Sequence, residues 1–172
     1  MVCRFVLCGL LSLLLAGAAS AQQESLRGRV VAVFDGDTIE VLTAGNTLFR
    51  VRVAFIDAPE IGQAFGNSAK RTMIALVLGR NVELWPQSSE HSGSDRLVGM
   101  AFIDGMDVGL ELLEDGLAWV YNITEAPTEL QRIYRDAQRR ARDNRFGLWQ
   151  DDNPEPPWDF RKDHGPGFPL PM

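Results

Sequence analysis

The chain has 172 residues, with 17 Lys and Arg against 23 Asp and Glu and a formal charge of −6. A net negative chain does not coat nucleic acid by bulk electrostatics, so any dealing with phosphate has to be local, where a metal ion or a few arginines reverse the potential. Both cysteines, Cys3 and Cys8, lie at the extreme N-terminus, so the rest of the chain depends on a hydrophobic core and not on disulfides.

Arg4, the apolar run from Phe5 to Ala16 and the small-x-small stretch Ala19-Ser20-Ala21 make a secretory signal pattern, which predicts that residues 1–21 are removed. The run is shorter than the roughly 18–20 residues a membrane-spanning helix needs. The expectation is an exported protein, periplasmic or secreted, with no membrane segment in its mature form. Residues 22–150 are ample for one domain and short for two.

RGRVVAVF (27–34) is β-branched and apolar, DGD interrupts it, and TIEVL resumes with alternation, which predicts two strands joined by a tight turn. Ala44-Gly45-Asn46 is a second turn signal. A third strand follows in TLFRVRVAFI, with Val51, Val53 and Phe55 on one face. The period then changes. Ala69, Met73, Leu76 and Val77 fall near helical spacing between Asn67 and Leu78, with Gly79 as the stop. Asn81–Trp85 and Arg96–Ile103 read as the fourth and fifth strands. Asp107 caps a second helix over 108–114, and Thr128 starts a third to about Asp143, with Leu130, Ile133, Tyr134, Ala137 and Ala141 as its apolar stripe. Residues 151–172 are too rich in proline and glycine for regular structure and read as a tail, ordered at most where Trp158 and Phe160 dock. Five strands interrupted by one helix after the third fit a small closed barrel or an open α+β sheet.

Four carboxylates fall in two short stretches, FDGDT (34–38) and RVAFIDAPE (52–60), with Arg52 beside the second. Carboxylates that close repel one another unless a cation lies between them. Asp37, Asp57 and a main-chain carbonyl next to Asp57 make a partial cage for a calcium ion, which takes six to eight oxygen ligands, water supplying the rest. Asp37 shares the parity of Ile39 and Val41 and so reaches the barrel mouth if those side chains point inward. Asp35 fits a turn residue. Arg52 and Asp57, five apart, would face opposite ways on an unbroken strand, so a bulge or strong bend is required near Ala54–Ile56.

FDGDT, RVRVAFIDAPE, QAFG, RLVGMAFIDG, DVGLELLEDGLAWVY, FGLW and PPWDFRK, in this order, resemble the thermonuclease family, the staphylococcal-nuclease-like enzymes. The resemblance covers nearly all of the expected mature chain. It implies a mainly β α+β fold, a five-stranded barrel of the oligonucleotide/oligosaccharide-binding (OB) type with about three packed helices. It also implies calcium-dependent hydrolysis of DNA and RNA to 3′-phosphate products by a monomer. Carried over by position, Asp37 and Asp57 would bind Ca2+ with the Ala58 carbonyl, Glu60 would act on the attacking water, and Arg52 and Arg96 would flank the phosphate. Where the family commonly reads D-R-Y-G-R before the fifth strand, this chain reads S-G-S-D-R over 92–96, which places Asp95 beside Arg96 and weakens its expected hold on phosphate. That departure leaves two rivals to the enzyme: a barrel that binds single-stranded nucleic acid without cutting it, and a domain that uses calcium for stability alone. Tyr121 is the better candidate for stacking on a base, and Trp119 for packing. The arginines of QRIYRDAQRRARDNR read as the wet face of an amphipathic helix. His91 and His164 are assigned no role.

Overall fold

The computed structural model describes residues 25–88 and 96–165, without the side chains of Ser88 and Arg96. The expected signal peptide lies outside these residues, as do the S-G-S-D stretch and positions 166–172. Along the chain the elements are β1 (Leu26–Val33), β2 (Thr38–Thr43), β3 (Leu48–Val53), β4 (Ile56–Asp57), α1 (Gly66–Val77), β5 (Asn81–Ser88), β6 (Arg96–Ile103), β7 (Met106–Asp107), α2 (Val108–Glu114), β8 (Trp119–Val120), α3 (Thr128–Asp143) and α4 (Pro157–His164).

Alternation decides the barrel. The strands run in the order β3-β2-β1-β5-β6, antiparallel between neighbours, and β3 pairs parallel with β6 from Arg50↔Arg96 to Val53↔Gly99, which closes the sheet. Val30, Ile39, Val41, Val51, Val53, Val82, Leu84, Ala101 and Ile103 point inward and are fully buried. Each of the Val, Ile and Leu side chains among them contributes about 1.5–3 kcal/mol, and together they form the apolar core on which a domain without disulfides depends. The closed barrel, rather than the open sheet, is the outcome of the pattern.

Helix α1 buries Ala69, Met73 and Val77, and α3 buries Tyr134, Ala137 and Ala141, as their spacing predicts. The three expected helices form within a residue or so of their expected limits. A fourth, α4, forms inside the stretch expected to lack regular structure; Pro156-Pro157 starts it, because proline's fixed φ suits a first helical turn and its missing N–H costs nothing there. Trp158 docks as expected, against Trp119 and Tyr121. None of the helices among the described residues is long and apolar enough to cross a membrane. The arginines of α3 are exposed, and three of them pair with acids: Arg132 with Glu129 and Asp136, Arg139 with Asp136, and Arg140 with Glu114.

Asp107 joins α2 to α3. Its carboxylate accepts from the N–H groups of Gly109 at 3.0 Å and Leu110 at 3.2 Å, and the buried Tyr134 hydroxyl donates to it at 2.8 Å. Urea denaturation should find Tyr134→Phe destabilised by about 1 kcal/mol and Asp107→Ala by about 1–3 kcal/mol, since the latter removes the cap and orphans a buried hydroxyl. The double variant should cost less than the sum of the two.

Candidate active site

Two loops at one mouth of the barrel supply the carboxylates. In the first, the Asp35 carboxylate accepts the Asp37 N–H at 2.9 Å and closes the turn, while the Phe34 N–H donates to the Thr38 carbonyl at 2.9 Å. Asp35 is thus the turn residue and Asp37 the one aimed inward, 6 % exposed beside the buried Ile39 and Val41. In the second, β3 breaks after Val53, Phe55 takes a left-handed φ of 65°, and the chain resumes as β4, paired with β8 and not with the barrel. This is the bend that the five-residue spacing required. It brings the Arg52 Nη2 within 2.7 Å of Asp57 Oδ1 and 3.3 Å of Asp37 Oδ2.

Close approach of these loops depends on glycine. A Cβ on Gly36 would lie 2.6 Å from the methyl groups of Ala58 and Ala69, and one on Gly66 would overlap the Glu60 carbonyl. Gly36 therefore lets the Asp37 turn settle on the loop that follows Asp57. The Ala58 N–H donates to Asp37 Oδ2 at 3.2 Å, and the Thr38 hydroxyl donates to Asp37 Oδ1 at 2.9 Å. Burial nevertheless holds the Asp37 carboxyl well above the usual carboxylate range, with Asp35 and Asp57 adding to the rise and Arg52 opposing it.

Glu60 follows Pro59 in the loop before α1. Its N–H donates to Gln63 Oε1 at 3.0 Å, and Gln63 Nε2 donates in turn to the Glu155 carbonyl at 2.7 Å. Its carboxylate accepts from Arg161, a residue of α4 that the sequence reading left without a role. Arg161 Nη1 donates to Glu60 Oε1 at 2.7 Å and to Asp57 Oδ1 at 3.0 Å, and its Nη2 donates to Asp57 Oδ2 at 2.7 Å. The hydrogen bonds to Asp57 and Glu60 raise the pKa of Arg161, so it is a fixed positive charge. The only signal for it in sequence is a basic residue following the aromatic pair in PPWDFRK.

Tyr121 follows β8, its N–H on the Phe55 carbonyl at 2.9 Å. Its ring stacks on Trp158 at 5.5 Å between centroids, and the Arg52 guanidinium lies 5.6 Å from its centre. Beside it runs a cavity of about 640 Å³ lined by Arg52, Phe55, Val98, Tyr121, Asn122 and Glu125 among others. Trp119 instead packs against Trp149 and Trp158, the packing role expected of it. Arg96 begins β6, its main chain paired with Arg50.

This arrangement has a family. The model for staphylococcal nuclease homologues matches residues 50–151, more than half of the chain. The chain belongs to the staphylococcal nuclease family. An uncharacterised endonuclease of Haemophilus influenzae is 35 % identical over 163 residues, covering 94 % of this chain and 88 % of its own. A micrococcal nuclease of Shigella flexneri is 34 % identical over 145 residues, covering 79 % of this chain and 80 % of that protein. An uncharacterised endonuclease of Escherichia coli is 37 % identical over 137 residues, 79 % and 85 % of the two chains.

The family is metal-dependent, and the donor set here fits a hard divalent cation. Among the described residues no three His, Cys, Asp or Glu side chains gather so as to hold an ion by themselves. Asp37 and Asp57, however, are all-oxygen donors, both buried and both within reach of one Arg52 nitrogen. Arg52 only partly offsets the burial of Asp37, which leaves that carboxylate in want of positive charge.

Gly36→Ala should cost about 1–3 kcal/mol in chemical denaturation by overpacking. Adding Ala58→Gly, which removes one of the two methyl groups in the way, should recover part of the loss. A Gly36→Ala variant as stable as wild type would contradict the close packing of the two loops.

Proposed function

We propose that this nuclease, a hydrolase of phosphodiester bonds in nucleic acid, is exported and depends on calcium held by Asp37, Asp57 and the Ala58 carbonyl. The observation that carries the reading is the convergence of Arg52 on both buried aspartates, with Glu60 tied to the same Asp57 through Arg161. A calcium ion bound by those oxygens supplies Lewis-acid stabilisation of the charge on the phosphate.

The residues of the chain do the rest. Arg52 presents a planar fork that can hold two phosphate oxygens, and so stabilises the dianionic five-coordinate phosphorane more than the monoanionic diester. Arg96 is assigned the second flank of the phosphate by its place in RLVGMAFIDG. Glu60, on the loop fixed by Gln63, accepts a proton from the attacking water. The water oxygen bonds to phosphorus, the bond from phosphorus to the 5′ oxygen breaks, and that oxygen leaves with a proton from solvent. The products are a 3′-phosphate and a 5′-hydroxyl. Tyr121 borders the cavity beside Arg52, where a base attached to that phosphate can stack. Both DNA and RNA fit this account, since no step needs or excludes a 2′-hydroxyl.

Single-turnover cleavage of plasmid and of single-stranded DNA, measured with calcium and with EGTA, tests the reading. Wild-type protein should cleave with calcium and stop in EGTA. Arg52→Ala should slow the reaction by about a hundredfold or more with a smaller change in substrate affinity, and lysine at that position should rescue it poorly. Glu60→Gln should lose turnover and keep binding, because an amide takes no proton from water. Protein that binds oligonucleotide but never cuts it with calcium would hand the case to the binding module.

A further inference from the structure

Arg161 lies in none of the positions that the family resemblance assigns to catalysis, yet it makes three of the hydrogen bonds at the site. Its fork takes both oxygens of Asp57 and one of Glu60, at 2.7–3.0 Å. Asp57 Oδ1 accepts from Arg161 and from Arg52 at once, at 3.0 and 2.7 Å. Two guanidinium groups that converge on one carboxylate oxygen are spaced to converge on one phosphate. The side chain of Arg161 is 24 % exposed, at the mouth of the barrel and not under it. Helix α4 is held by other means: Pro157 is buried, Trp158 packs on Trp119 and Tyr121, and the Glu155 carbonyl accepts from Gln63. The long side chain can therefore change partners while the helix stays in place.

We propose that Arg161 is a further phosphate-binding residue of this nuclease, a third guanidinium that shifts from Asp57 and Glu60 to the scissile phosphate when a divalent cation takes up Asp57. The inference rests on the nuclease reading above. A cation and Arg161 compete for the same Asp57 oxygens, so each weakens the other's hold there. Once released, Arg161 adds a fork next to that of Arg52, where charge develops on the phosphorane. It stays protonated throughout and takes no part in proton transfer.

Two measurements on Arg161→Ala and Arg161→Lys test this: calcium affinity by calorimetry without substrate, and the single-turnover cleavage rate at saturating calcium. Arg161→Ala should bind calcium about tenfold more tightly, the worth of one charged hydrogen-bonding interaction removed from competition, and should cleave about a hundredfold more slowly. Arg161→Lys should keep calcium affinity near wild type and still cleave slowly, since a point charge does not replace the fork. Opposite movement of affinity and rate is the signature. If both fall in Arg161→Ala, the residue is only structural; if both rise, it is only a plug on the metal site. Either result overturns the proposal, as does an unchanged rate. If melting in EGTA finds Arg161→Ala unfolded, Arg161→Lys decides, and a rate equal to wild type overturns the proposal. Wild-type protein that binds calcium but does not cleave overturns the nuclease reading and this inference with it, whereas an active wild type beside an equally active Arg161→Ala overturns this inference alone.

Discussion

The structure turns on the burial of two like charges at one mouth of a closed barrel. Asp37 is 6 % exposed and Asp57 1 % exposed, and an ionised carboxylate out of water costs several kcal/mol unless positive charge and hydrogen bonds meet it. Arg52 and Arg161 meet Asp57 from two sides, but of these two only Arg52 reaches Asp37. The remaining imbalance sits at Asp37, and the rest of the site is arranged around it.

The barrel makes that arrangement possible. Parallel pairing of β3 with β6 fixes Arg52 on a closed wall, and the left-handed turn at Phe55 then swings Asp57 out of that wall to face it. Gly36 removes the side chain that would hold the two loops apart. Gln63 ties the Glu60 loop to the segment ahead of α4, so the C-terminal helix belongs to the site as much as the barrel strands do. The aromatic group Trp119, Trp149, Trp158 and Tyr121 is what seats that helix.

Much of this was legible in the sequence, for reasons that are physical. Strands that alternate Val and Ile with polar residues have one buried face, and the parity of Asp37 with Ile39 and Val41 places its carboxylate without further information. The spacing of Arg52 and Asp57 demanded a bend, because a strand turns its side chains over at every residue. What escaped was α4. Its composition of proline, charge and aromatic residues carries no helical stripe, and its stability comes from docking Trp158 and Pro157 on distant parts of the chain. Arg161 pairs with Asp57 across 104 positions, a separation that no local pattern encodes. The departure at Ser94 and Asp95 lies outside the described residues.

The central claim, that the buried carboxylates form a cation site, is tested most directly by thermal melting against calcium concentration, with Asp37→Asn beside the wild type. A ligand that binds only the native state stabilises it by about 2.7 kcal/mol at a hundredfold excess over its dissociation constant. The wild-type melting temperature should therefore climb steadily with the logarithm of calcium concentration above that constant, and the Asp37→Asn curve should be nearly flat. A wild-type melting temperature indifferent to millimolar calcium would contradict the account.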